Sequence, residues 1–160
     1  MNLFEGLFLY EIVLLFLGVL LFLVLVFVLV YFVLKKRAIK GLLFFFSIPI
    51  IMIGFPGIQK VKFDNGVVEI EKGTEKLEGN PLDTTGRSAL LTSIAELETR
   101  PVSSPITLVH VARAHAVAGD TLKALTYVDS ALKAKPGFQE ALSLQKRYKR
   151  LRIAPSSIPR

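Results

Sequence analysis

The chain has 160 residues, 52% of them hydrophobic, with 20 Lys and Arg against 13 Asp and Glu for a net charge of +7. That length leaves room for a membrane anchor and one small folded domain, not for two full domains. The absence of cysteine excludes a disulfide framework, a thiolate metal site and a thiol nucleophile.

Residues 10–34 carry the first signal. From Ile12 to Leu34 there is no charge, and 21 residues are Leu, Val, Phe or Ile. A helix of about twenty such residues crosses ~30 Å of hydrocarbon. Insertion of those side chains is worth roughly −6 to −12 kcal/mol on a translocon scale. The start, Met1 to Glu5, lacks a basic region, and no small-residue cleavage pattern follows. The segment therefore reads as a retained anchor rather than a signal peptide. Glu5 and Glu11 precede its apolar core and are expected as solvated carboxylates among the headgroups.

Residues 41–58 form a second hydrophobic stretch, weaker because Pro49 sits in its middle. Of a kinked second span and a re-entrant segment, the span is the reading taken, so that residues 1–58 form a transmembrane hairpin. Between the spans, Lys35, Lys36, Arg37 and Lys40 place this loop in the cytoplasm by the positive-inside tendency. The remainder of the chain is then extracytoplasmic, or cytoplasmic if the second stretch fails to cross.

Residues 60–71 read as a β-hairpin closed by Asn65-Gly66, a type I′ turn signal. That register pairs Phe63 with Val68 and Val61 with Ile70 on one face, and Lys62 with Glu69 and Lys60 with Glu71 on the other. Residues 72–86, with Gly73, Gly79, Asn80, Pro81 and Gly86, read as a linker.

Beyond it lies a helical domain, residues 87–152. One helix is expected from Arg87 to Thr99, with Leu90, Ile94 and Leu97 as its apolar stripe. Ser104 and Pro105 look like the N-cap and first residue of the next, which runs to Ala118. Gly119 breaks it, and Asp120 caps a third, Thr121–Ala134. Pro136-Gly137 precedes a last helix from Gln139 to Arg152. Residues 153–160, with Pro155 and Pro159, are expected to be disordered.

Pro105 to Phe138 resembles one tetratricopeptide (TPR) repeat, a helix–turn–helix unit of about 34 residues. Ala112, Gly119, Ala124, Ala131 and Pro136 keep its spacing of small residues, turn glycine and terminating proline. Leu108, His115 and Val128 stand where the family more often has aromatic residues. The fold class expected is therefore a membrane-anchored chain: two N-terminal transmembrane helices, a short β-hairpin, then an all-α TPR-like domain. The flanking helices would serve as caps, since one repeat cannot bury its own faces. The resemblance implies a partner-binding face on the first helix of the pair, at Ile106, Val109, Arg113 and Ala116. Val109 departs from the basic position of carboxylate-clamping members, which disfavours an acidic C-terminal peptide.

Lys146, Arg147, Lys149, Arg150 and Arg152 crowd the last helix. A solvated face is one reading, contact with anionic lipid another. Nucleic-acid binding is not expected, because no recognition module accompanies the charge. No enzymatic chemistry is expected either. His110 and His115 diverge by about 140° around a helix, and no nucleophile, phosphate-loop or dinucleotide motif is present. No cofactor or metal is expected.

Together these readings lead to a two-pass membrane protein whose helical module, as a scaffold or adaptor, holds a protein partner near the bilayer. The competing expectation is a small structural subunit of a membrane complex or homo-oligomer. There the membrane segments make the main contacts.

Overall fold

The computed structural model describes residues 4–35 and 40–153. Among them the chain forms seven helical segments and no strand. They are α1 (Leu9–Leu34), α2 (Lys40–Phe45), α3 (Ser47–Gly79), α4 (Thr84–Glu98), α5 (Pro105–Val117), α6 (Thr121–Ala134) and α7 (Gln139–Ile153). The chain divides into two compact units, Leu7–Lys62 and Met1–Gly6 with Phe63–Arg160. The tail expected to be disordered lies outside the described residues apart from Ile153, and so do residues 36–39 of the basic loop.

In the first unit, α1 has 26 residues and is long and apolar enough to cross a membrane. Its start is capped by Glu11, whose carboxylate accepts from the Phe8 N–H at 2.9 Å and from the Tyr10 hydroxyl at 3.4 Å. Glu11 is fully buried and Glu5 nearly so, which corrects the expectation of solvated headgroup carboxylates. Gly18 faces Met52 and Ile53 of α3, and Phe22 meets Phe46 edge-on, so the two helices run antiparallel.

The second transmembrane helix is not there. Among the described residues α1 alone has span length and composition. Pro49 has no N–H for the Phe45 carbonyl and its ring crowds that oxygen. The helix consequently breaks at Phe46, leaving α2 with 6 residues and Pro49 in the first turn of α3. The Ser47 hydroxyl covers the break by donating to the Phe44 carbonyl at 2.7 Å. From Ser47 the apolar run ends at Ile58, about 18 Å along a helix against ~30 Å of hydrocarbon.

Nor is there a β-hairpin. Residues 60–71 are the middle of α3, which continues to Gly79 through most of the expected linker. The reason lies in a competing period. Phe63, Val67, Ile70, Thr74 and Leu77 recur at alternating spacings of four and three, one face of a helix. Phe63, Ile70, Thr74 and Leu77 are buried and Val67 partly so, whereas Val61 and Val68 point outward. Two helical glycines, Gly66 and Gly73, cost about 1 kcal/mol each. Burying each of Ile70 and Leu77 gains roughly 1.5–3 kcal/mol. The helix wins because α4 and α5 supply Leu90, Ile94, Leu97, Val111 and Ala114 to cover its stripe. Gly73 has its own use there. A Cβ at that position would stand 3.1 Å from Leu90 Cδ1, so glycine lets α3 and α4 approach closely.

A turn at Asn80–Asp83 leads into α4, which starts at Thr84 because the Asp83 carboxylate accepts from the Gly86 N–H at 2.8 Å. Helix α5 opens with Ser104 at the N-cap and Pro105 behind it, but the Ser104 side chain makes no capping bond. Its backbone N–H instead donates to Glu5 Oε1 at 2.9 Å, while the Gly6 N–H donates to the Pro101 carbonyl at 3.1 Å. Thus Glu5 and Gly6 belong to the helical unit. Gly119, at φ +96°, turns the chain into α6, capped by Asp120 on the Lys123 N–H at 3.0 Å. Ala112, Ala124 and Ala131 are fully buried where helices touch, and Ala141, Leu144 and Tyr148 bring α7 onto the same core.

Candidate functional site

Three helices that are not sequence neighbours, α3, α5 and α7, line an open groove of about 590 Å³ in the helical unit. Each contributes through its own register. The C-terminal turn of α3 brings Leu77 and Glu78, α5 brings Arg113 and Val117, and α7 brings Glu140, Leu144, Arg147 and Tyr148. Its lining mixes apolar side chains with charges of both signs. Arg113 donates to both carboxylate oxygens of Glu78, at 3.2 and 3.1 Å. Both side chains keep substantial exposure, 30% and 42%, so water screens the pair and its contribution to stability is small. Tyr148 is buried at the back, and burial raises its phenol above the ordinary value.

Of the four residues expected to meet a partner, only Arg113 lines this groove. Val109 is core, with 1% exposure. Ala116 is half-buried against the same cluster. Ile106 is exposed at the start of α5. Glu78, Glu140 and Tyr148 were not singled out by sequence. Glu78 lay in what reads as a linker, and its signal was the Phe63–Leu77 stripe. On α7, Lys146, Arg147, Lys149 and Arg150 are exposed.

The two histidines serve different carboxylates. His110 Nδ1 lies 3.8 Å from Glu71 Oε1. His115, 2% exposed, places Nε2 at 2.8 Å from Glu98 Oε1 and stacks on Tyr127 at 5.4 Å between centroids. The Tyr127 hydroxyl donates to the same Glu98 oxygen at 2.8 Å. Burial alone would raise the Glu98 carboxyl, but the bonds from His115 and Tyr127 outweigh it and hold it below the ordinary value. Burial and the Glu98 charge push the Tyr127 phenol up to about 12. This cluster ties α4, α5 and α6 together inside the unit and does not line the groove. Among the described residues no group of three or more His, Cys, Asp or Glu is arranged to hold a metal ion.

No protein-family model matches the chain, and neither the curated proteins nor the solved structures contain a significant match.

Proposed function

We propose that this chain is a membrane-anchored helical interaction module, held by α1, whose α3–α5–α7 groove takes a segment of a partner protein. The observation that carries the proposal is the groove itself. It brings apolar side chains of α3, α5 and α7 together with charges of both signs on one concave surface, where polar groups can fix a ligand's orientation. Arg113 is the central recognition residue, because its fork is held by a solvent-screened carboxylate that a ligand carboxylate can displace at small cost.

The TPR reading belongs to the same proposal. Its support is the α5–α6 pair, with fully buried alanines at the contact and a positive-φ glycine at the turn. Leu90 and Leu97 of α4 stand one repeat length of about 34 residues before Ala124 and Ala131 and are buried like them. On this reading α3 and α4 make the preceding pair and α7 the following half.

For membrane placement, the anchor is α1, the one helix among the described residues long and apolar enough to cross.

Partner binding is tested by Arg113→Glu in the full chain, assayed by pull-down from native membranes. Because the new carboxylate would face Glu78, the swap Arg113→Glu with Glu78→Arg serves as a second variant. Loss of the partner in both variants, with thermal stability restored in the swap, supports the groove. Full retention in both overturns it. The structural-subunit reading would then move ahead, favoured by the apolar residues that α1 exposes all along its length, among them Leu9, Phe16, Phe27 and Leu34.

A further inference from the structure

We infer that the outward face of α7 is a docking surface for anionic lipid headgroups. Ala141, Leu144 and Tyr148, at spacings of three and four, are buried and fix the inward face of the helix. At 100° per residue, Lys146, Lys149 and Arg150 project from the opposite face, and all three are exposed. Glu140 is the only acid on α7. It lies on the groove side with Arg147, so it does not neutralise this face.

Charge complementarity and tethering select the occupant. The chain passes between the helical unit and the apolar unit twice. After Gly6, only Leu7 and Phe8 precede α1, and at Lys62–Phe63 the chain continues inside α3 without a break. If α1 is in the bilayer, the unit cannot drift far from its surface. A basic face held there meets headgroups at high effective concentration, and attraction to anionic lipid adds to anchoring already provided by apolar burial. The inference rests on α1 as the anchor but not on the groove, since Arg113 and Arg147 take no part.

The absence of cysteine makes a single-site probe straightforward. The full chain carrying Ser143→Cys, an exposed position on α7, is labelled with a fluorophore and reconstituted into vesicles containing nitroxide-labelled lipid. The vesicles are phosphatidylcholine alone or phosphatidylcholine with phosphatidylglycerol. A label at Thr126→Cys, exposed on α6, reports any general approach of the unit. The expected result is stronger quenching at Ser143→Cys in the anionic vesicles, absent from Thr126→Cys and abolished at ~1 M salt, where screening acts within about 3 Å. Replacing Lys146, Lys149 and Arg150 with Gln should weaken docking on the order of fivefold for each charge removed. Lys149→Gln alone gives the single-step change should the triple variant fail to fold. Equal quenching in neutral and anionic vesicles overturns the inference. So does equal quenching at the two labels, or a Lys149→Gln variant that docks as before.

Discussion

Ala131 has no accessible surface and sits in the core shared by α5, α6 and α7. Ala131→Leu should therefore overpack it, at a cost of ~1–3 kcal/mol, read as a lower thermal midpoint of the full chain in detergent. An unchanged midpoint would mean that the site can open without penalty. Glu98 makes a prediction of a different kind. Its carboxyl is held below the ordinary value, so the stability it contributes is present above the unfolded-state value and is lost as pH falls through the depressed one. Tyr127, raised to about 12, has the opposite sign: its contribution is present below its ordinary value and is lost as pH rises through about 12. Glu98→Gln should flatten the acid side of the stability profile; an acid limb identical to wild type would remove Glu98 from the account. At this scale sequence spacing told which residues of α5 share a face, but not how many neighbours cover that face. Ile106, Val109, Arg113 and Ala116 lie along one side, yet the core covers Val109 and half-covers Ala116, because α5 is packed by α3, α4, α6 and α7 together.

The element most misread from sequence is α3. Residues 60–71 satisfy a two-residue alternation and a helical period at once, and Asn65-Gly66 tips a local reading toward the hairpin. What decided the matter was tertiary: an apolar cover from α4 and α5 that no local window contains. The two readings make opposite predictions for Gly66→Ala. In α3 a Cβ at this position meets only Leu97 Cδ1 at 3.4 Å, an ordinary contact, so alanine should stabilise the helix by about 0.5–1 kcal/mol. In a type I′ turn it would destabilise through its positive φ. A lower unfolding midpoint for Gly66→Ala would restore the hairpin. Where a helix carries its own boundary chemistry, sequence was sufficient. Helix α6 occupies the expected residues between Asp120 and the Pro136-Gly137 pair. Helix α4 starts three residues earlier than its apolar stripe suggests, because Asp83 caps it. From sequence Pro49 reads as a kink in a span. Its larger effect, ending α2 and beginning α3, follows from the carbonyl it leaves at Phe45.

For the whole molecule, the apolar α1 was legible because its signal is local and additive, whereas the groove was not. Its three walls come from residues near 78, 113 and 147, and one wall lay in a segment read as a linker. The central claim is that this groove receives a partner. The most direct measurement is site-specific photo-cross-linking of the full chain in native membranes, with the reactive side chain at Val117 in the groove and, as comparison, at Thr126 on the outer face of α6. The account predicts a discrete protein adduct from Val117, absent from Thr126 and lost when Arg113 and Glu78 are exchanged. Identical adducts from both positions, or a Val117 adduct indifferent to that exchange, would contradict it.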